Sequence, residues 1–194
     1  MSAFRRLGER EAWRGRRISV AIASVASPEG TTHEREIVHH PGAVGVVPRH
    51  EDGTVTLVRQ YRAALDADVW EIPAGLRDVD GEPTEETARR ELVEEAGLRA
   101  GALEHLVTFH NSPGFADEAV VVYLATSLSA VPHDRQSVEE EHMVVDRLPL
   151  DDALAMVDDG RITDAKTVIG LLAVARRSVG AAGSARSAGS SRSA

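Results

Sequence analysis

The 194-residue chain contains no cysteine. Disulfide bonds, thiolate nucleophiles and cysteine-ligated zinc or iron–sulfur sites are therefore excluded. The first residues also lack the apolar stretch of a secretory signal peptide. Both features are typical of a protein that stays in the cell, and the sequence predicts a cytoplasmic location.

Long apolar runs are missing as well. The longest, at about residues 119–125 and 168–175, are far shorter than the roughly 18 residues that cross a membrane. The sequence therefore predicts no membrane partner.

Positive charge is scarce, because 22 Lys and Arg stand against 31 Asp and Glu, a net charge of −9. Non-specific binding to nucleic acid depends on clustered basic side chains that displace counterions. We therefore expect no nucleic-acid partner. A small anionic substrate remains compatible with the charge if a metal ion lies between carboxylates and phosphate.

The chain has the ordinary composition of a folded domain, with 42% hydrophobic and 27% charged residues. Residues 1–40 form a strand-rich extension in which the strand signals begin at about residue 16, and residues 41–178 alternate strand and helix signals. Residues 179–194 consist almost entirely of Gly, Ala, Ser and Arg, which predicts a disordered tail. The fold class predicted is α/β, with helices on a mixed sheet.

An acidic helix is the clearest candidate for function. Pro83 and Thr84 predict its start, and Gly97 predicts its end. Glu91, Glu94 and Glu95 are three or four positions apart or adjacent, so they share one side of this helix and repel one another unless a cation binds there. Carboxylate oxygens suit Mg²⁺, with Mn²⁺ as a substitute. The alternative is an acidic helix face exposed to water.

The wider pattern around this helix is more specific. Gly75, Glu82 and the segment Arg90-Glu91-Leu92-x-Glu94-Glu95-x-Gly97-Leu98 resemble the Nudix box, G-x5-E-x7-R-E-U-x-E-E-x-G-U with U aliphatic. Six residues instead of five separate Gly75 from Glu82, and the extra one falls in a loop, where insertions cost little. The resemblance implies the Nudix-type α/β/α sandwich with a mixed β-sheet, plus an N-terminal β-strand extension.

Segments outside the box resemble ADP-ribose pyrophosphatases. They are residues 58–62, residues 71–75, and residues 111–118 with Pro113 sixteen positions after Gly97. The longer loop before the helix resembles actinobacterial members of that group. The resemblance implies a magnesium-dependent hydrolase that splits ADP-ribose into AMP and ribose 5-phosphate. It also implies a homodimer formed through residues 1–40.

The same resemblance implies roles for particular residues. Glu139 would be the catalytic base, although a shift by one residue within the run 139–141 is open. Arg90 would orient the box glutamates, and Glu94 would be either a further metal ligand or the partner of Arg90. The implied metal ligands are the main-chain carbonyl of Ala74 and the carboxylates of Glu91, Glu95 and Glu141.

Substrate contacts are predicted outside the helix. A guanidinium can hold phosphate oxygens with two parallel hydrogen bonds, and an ordinary charge at the end of a strand is the alternative. Aromatic residues at positions 13, 70 and 115 are better explained by packing than by stacking on adenine. The predicted substrate-binding residues are Arg59, Arg62, Arg35 (across the dimer), Pro113 and Glu118.

Three other functions compete with ADP-ribose hydrolysis. One is hydrolysis of another nucleoside diphosphate sugar, such as a GDP- or UDP-sugar, because the leaving sugar contacts only variable loops. Another is a non-catalytic module that senses a nucleotide, but such a module should have lost box carboxylates. The last is a structural protein whose acidic helix is only solvated.

Overall fold

The computed structural model describes residues 3–134 and 141–189, with side chains as far as residue 177. No helix in this part of the chain is long and apolar enough to cross a membrane. In chain order the elements are β1 (Arg5–Arg14), β2 (Ser19–Ala26), β3 (Thr32–His39), β4 (Ala43–Pro48), β5 (Thr54–Arg62), β6 (Ala67–Glu71), β7 (Ala74–Leu76), α1 (Thr84–Ala96), β8 (Leu98–His110), β9 (Ala119–Ala130), β10 (Val144–Pro149), α2 (Leu150–Asp158) and α3 (Ala165–Gly189).

The N-terminal extension is an antiparallel sheet in the order β1-β2-β3. The sequence predicts strands only from about residue 16, so β1 is an addition. Every residue of β1 is exposed, and an exposed strand has no alternation of apolar and polar residues by which to recognise it. Its backbone pairing with β2 holds it in place.

The central sheet has the order β7-β4-β9-β8. Strands β4 and β9 run parallel, and the other pairs are antiparallel, which confirms the predicted mixed sheet. All six residues of β4 are buried, because this strand is covered on both faces, as strands of α/β folds usually are. A second sheet, in the order β10-β5-β6, lies beside it.

Helices cover both faces of the central sheet. On one face, Ala88, Leu92 and Ala96 of α1 pack on Val44 and Val46 of β4. On the other, α2 and α3 pack against the opposite side chains of β4 and β9 and against β5. Leu92 is fully buried, and burying a leucine contributes about 1.5–3 kcal/mol. This arrangement is the predicted α/β/α sandwich.

Helix α1 begins and ends where the sequence predicts. Pro83 precedes it in an extended conformation, and Glu85 and Glu86 in the first turn complement the helix dipole. Gly97 follows it at φ 62° and donates its N–H to the carbonyls of Leu92 and Val93. A glycine suits this left-handed conformation, which is sterically unfavourable for other residues.

Helix α3 differs from the prediction. The sequence predicts a helix over residues 164–177 followed by a disordered tail, whereas α3 continues to Gly189. Alanine and arginine favour helix, and the tail has no proline to end one. Residues 190–194 lie outside the described part of the chain.

His39 links the extension to the loop that carries Pro113. Its Nδ1 lies 2.6 Å from Asp117 Oδ2, and its Nε2 lies 3.1 Å from Glu9 Oε2 on β1. The hydrogen bond with Asp117, and then that with Glu9, raises the pKa of His39 above its usual value. The charged imidazole therefore stabilises the packing of β3 against this loop.

The contribution of His39 should depend on pH. Because the pKa of His39 is higher in the folded state, its stabilising effect is complete below about pH 6.5 and is lost as the pH rises through the raised value. The free energy of unfolding of the wild type should therefore exceed that of His39→Gln by more at pH 6 than at pH 9, as measured by chemical denaturation. A difference that is the same at both pH values would contradict this assignment. His110→Gln, on the exposed end of β8, is the control for removing a histidine.

Candidate active site

The candidate site lies where β7 passes across α1. A Cβ built on Gly75 would lie only 1.9 Å from Glu91 Cδ and 2.0 Å from Glu91 Oε1. The carboxylate of Glu91 therefore occupies the space that any other side chain at position 75 would need. This contact explains the glycine of the box as a requirement for close approach, not for an unusual φ.

Glu95 lies one turn beyond Glu91 and is also held at β7. Its Oε2 accepts a 2.8 Å hydrogen bond from the Ala74 N–H, and its residue is only 5% exposed. Burial raises the pKa of Glu95 to about 8; the Ala74 hydrogen bond opposes this rise, and the charge of Glu91 adds to it. Ionising Glu95 beside Glu91 in this poorly solvated place is therefore unfavourable unless a cation binds.

Arg90 ties the glutamates of the box together. Its Nη1 donates to Glu91 Oε1 at 2.7 Å and to Glu94 Oε2 at 3.2 Å, and its Nη2 donates to Glu82 Oε2 at 3.3 Å. Glu82 is held in turn by the Thr87 hydroxyl at 2.8 Å. In this structure Arg90 therefore pairs with Glu82, Glu91 and Glu94, while the catalytic roles of Arg90 and Glu94 stay predictions.

A polar cleft of about 920 Å³ opens over these carboxylates. Strand β5 contributes Gln60 and Arg62, and the turn between β1 and β2 contributes Arg16 and Arg17. Gln60, Arg16 and Arg17 are not among the site residues that the sequence predicts. Arg16 and Arg17 are recognisable in the sequence as a basic pair in an acidic chain. Their neighbours in the sequence do not indicate that this turn lies beside the box.

Arg62 is fixed by a buried charge network beneath the cleft. Its Nε and Nη2 each donate to a different oxygen of Glu71 at 2.6 Å. Lys166 of α3 also donates to Glu71, and to Asp164 at 3.0 Å. Burial alone would raise the pKa of Glu71, but the hydrogen bond from Arg62 and the charge of Lys166 outweigh it, so this pKa lies below its usual value. Glu71 thus stays ionised and holds the guanidinium in position.

A second cleft, of about 690 Å³, adjoins the first. The two share Arg17, Arg62 and residues 74–76. The second cleft also contains Glu118, whose Oε2 accepts a 2.8 Å hydrogen bond from Asn111 Nδ2. Glu118, one of the predicted substrate-binding residues, therefore lies in the wall of this second space together with Asn111.

Two predicted substrate contacts, Arg59 and Arg35, lie away from the clefts of the single chain. Arg59 and Gln60 are adjacent on β5, so their side chains point to opposite faces of the strand. The Arg59 guanidinium lies 5.5 Å from the centre of the Trp70 ring. Arg35 is exposed on β3 and donates to the Glu34 carbonyl at 2.7 Å. Neither residue lines either cleft of the described chain. The contact predicted for Arg59 therefore has no support from this geometry, whereas the contact predicted for Arg35 lies across a dimer and stays a prediction.

The remaining predicted residues are Glu139, Glu141 and Pro113. Glu139 lies outside the described residues, so its role stays a prediction. Glu141 is described and exposed, but it does not line either cleft. Pro113 lies in the 111–118 loop and is exposed.

The residues present fit a divalent cation in donor type and charge. Glu91 and Glu95 are buried hard-oxygen donors on successive turns, and their mutual repulsion would be relieved by a cation. Within residues 3–134 and 141–189, no three His, Asp or Glu side chains form a ligating group. In this structure the Glu91 carboxylate accepts a hydrogen bond from Arg90.

The fold and the site together define a Nudix-type hydrolase, and the comparisons agree. Residues 39–169 match the family model described as the NUDIX domain. The chain therefore belongs to the Nudix family.

Curated relatives that resemble this chain carry different substrate names, of which three examples follow. An ADP-ribose pyrophosphatase of Bacillus subtilis is 40% identical over 83% of this chain and 86% of its own length. An ADP-ribose pyrophosphatase of Mycobacterium tuberculosis is 43% identical over 77% of this chain and 72% of its own length. A GDP-mannose pyrophosphatase of Citrobacter koseri is 37% identical over 71% of this chain and 75% of its own length.

The fold also matches a solved structure. A crystal structure described as an ADP compounds hydrolase superposes with a TM-score of 0.81, covering 93% of this chain and 96% of its own. At 23% sequence identity, this match supports the Nudix fold.

The contact between Gly75 and Glu91 can be tested by adding one methyl group. Gly75→Ala should displace the Glu91 carboxylate, because its Cβ would overlap Cδ. We expect at least a tenfold weaker affinity for Mg²⁺, measured by calorimetric titration, and a small change in melting temperature, since Glu91 can rotate away. Gly8→Ala, on exposed β1 with no atom within 4 Å of the added Cβ, is the matched control. Unchanged Mg²⁺ affinity in Gly75→Ala would show that Glu91 is not a ligand.

Proposed function

We propose that the protein hydrolyses the pyrophosphate bond of ADP-ribose, giving AMP and ribose 5-phosphate. The observation that carries the proposal is the buried pair Glu91 and Glu95 at the floor of a cleft that also contains Arg62. A diphosphate needs positive charge and hydrogen-bond donors, and phosphoryl transfer depends mainly on positioning and charge stabilisation. The curated ADP-ribose pyrophosphatases that resemble this chain support the choice of substrate.

In this proposal Glu91, Glu95 and the Ala74 carbonyl hold Mg²⁺, with Glu141 as a further ligand. A bound Mg²⁺ supplies charge neutralisation of the diphosphate and lowers the pKa of a bound water. Arg90 keeps Glu91 and Glu94 in orientation through the hydrogen bonds described above. Arg62, fixed by Glu71, holds phosphate oxygens.

Glu139 takes the proton from the attacking water in this proposal. The support is its position in the sequence, between β9 and β10, where related ADP-ribose pyrophosphatases have an acidic loop over the metal site. A carboxylate is a suitable general base when it lies within hydrogen-bond reach of the water.

We propose a homodimer formed through residues 1–40. Three large apolar side chains, Phe4, Leu7 and Trp13, are exposed on or beside β1. A group of this kind on one sheet favours contact with another protein surface. The cytoplasmic location remains a prediction from the sequence.

The second candidate function is hydrolysis of a GDP-sugar. It is favoured by one observation, the similarity to a GDP-mannose pyrophosphatase over most of the chain. The carboxylates of the box serve either substrate, so they do not separate the two functions.

A substrate panel separates these candidates. ADP-ribose, ADP-glucose, GDP-mannose and UDP-glucose would each be incubated with Mg²⁺ or Mn²⁺, and release of AMP, GMP or UMP would be quantified. We expect the highest kcat/KM for ADP-ribose, with ribose 5-phosphate as the second product. Faster release of GMP from GDP-mannose would replace the first function by the second. Binding of ADP-ribose without turnover under any condition would instead indicate a sensing module.

Replacing Glu95 by glutamine tests the metal-binding role. Glu95→Gln should lower kcat/KM by more than about 100-fold, because even partners of metal ligands commonly cost 10–100-fold. The metal-free variant should be as stable as the wild type or more so, because its amide oxygen still accepts the Ala74 N–H without burying a charge. Activity and the melting temperature in EDTA are the measurements. Glu85→Gln, at an exposed position of the same helix, is the control; near-wild-type turnover by Glu95→Gln would remove Glu95 from the site.

A further inference from the structure

Gln60 carries a buried donor without a partner. The residue is only 6% exposed, and its Nε2 makes no hydrogen bond with any described residue. Buried side-chain donors are satisfied in the large majority of cases, so an exception calls for an explanation. The explanation here is suggested by position, because Gln60 lines the 920 Å³ cleft above the carboxylates of α1.

The strand places Gln60 beside Arg62. Residues two apart on a strand point to the same face and lie roughly 6–7 Å apart along it. Arg59 and Tyr61 alternate with them along β5 and are exposed, although Tyr61 also borders the cleft. Gln60 and Arg62 therefore form a pair of donors on one wall of the cleft, opposite the helix that carries Glu91 and Glu95.

The two donors differ in what already restrains them. Arg62 uses Nε and Nη2 to hold Glu71, which leaves Nη1 without a hydrogen bond to any described residue. Gln60 has its amide N–H groups available. A ligand that satisfies both groups must offer acceptor oxygens a few ångströms apart, as adjacent phosphates do. A neutral amide also adds a donor beside Arg62 without changing the charge that the buried carboxylates experience.

We propose that Gln60 is a substrate-binding residue whose Nε2 donates to a non-bridging oxygen of the diphosphate, next to the oxygen held by Arg62. This inference rests on the proposed function, because it takes the diphosphate as the ligand of the cleft. The cost of leaving the amide unpaired in the free protein is then offset when substrate binds. Gln60 thus contributes to affinity for any nucleoside diphosphate compound, whatever the attached sugar.

Two substitutions at Gln60 test the role. Gln60→Met keeps the length of the side chain and removes the donor, so KM for ADP-ribose should rise about tenfold with kcat changed less than about threefold. Its melting temperature should equal or exceed that of the wild type, because no native hydrogen bond is lost. Gln60→Glu should be impaired further, because a carboxylate repels the diphosphate.

A matched control lies on the same face of the same strand. Thr56 is also buried, but its hydroxyl is bonded to His50 Nε2 at 2.8 Å and it lies outside the cleft. Thr56→Val should lower the melting temperature and leave KM and kcat unchanged, the reverse of Gln60→Met.

Several outcomes would overturn the inference. One is a wild-type KM in Gln60→Met, with or without a loss of melting temperature, which would make Gln60 a structural residue. Another is full activity in Gln60→Glu, which would mean that the amide oxygen and not Nε2 faces the ligand.

A binding measurement keeps this test separate from the proposed function. ADP with Mg²⁺ should raise the melting temperature of the wild type and raise that of Gln60→Met much less, since a ligand that binds only the native state stabilises it. If the wild type releases no AMP from ADP-ribose, the proposed function fails, and the ADP shift still decides the role of Gln60. Equal ADP shifts in both proteins, or none in either, would overturn the inference even if ADP-ribose is hydrolysed.

Discussion

The site depends on one close contact, between the backbone of β7 and two carboxylates of α1. Gly75 leaves room for Glu91, and the Ala74 N–H holds Glu95. The contact keeps both side chains out of bulk water while they face a cleft. Their electrostatic conflict is part of the arrangement, since it makes this place favourable for a cation and unfavourable without one.

The rest of the fold serves to hold that contact in position. Strand β4 pairs with β7 on one side and with β9 on the other, and α1 packs on the same strand through Leu92. Opposite α1, the bond from Ile72 N–H to the Thr167 hydroxyl, at 2.8 Å, joins the end of β6 to α3. Together with the Glu71 network it links the second sheet, α3 and Arg62. The walls of the cleft therefore come from elements that are distant in sequence, and buried charged side chains link these elements to one another.

The sequence allowed much of the fold and part of the site to be predicted. Helix α1 was predictable at both ends because Pro83 and Gly97 act locally, and the mixed sheet followed from buried runs such as residues 119–125. The box residues were predictable because their spacing is a property of one helix. Strand β1 was missed because no residue in it is buried, so its pairing with β2 left no pattern.

The other residues of the cleft depend on the assembly of distant elements. Gln60 reads as an ordinary polar residue within a strand, and only the packed structure shows its amide buried and unpaired. Arg16 and Arg17 reach the cleft because a hairpin of the extension folds over it. Arg59 is the converse case. The sequence predicts a substrate role for it within the segment 58–62, whereas in this structure its guanidinium lies over the Trp70 ring, and the role stays a prediction.

The loop between β7 and α1 shows why a sixth residue before Glu82 does no harm. Its two ends are held independently, Gly75 by strand pairing with Val44 and Glu82 by Arg90 and Thr87. Residues 79–81 between these anchors are exposed. Chain length can therefore vary at this point without changing the separation of the anchors, and a search pattern with a rigid count of residues would reject proteins whose sites are intact. The same three positions are a natural place to insert a label or an affinity peptide into the folded enzyme.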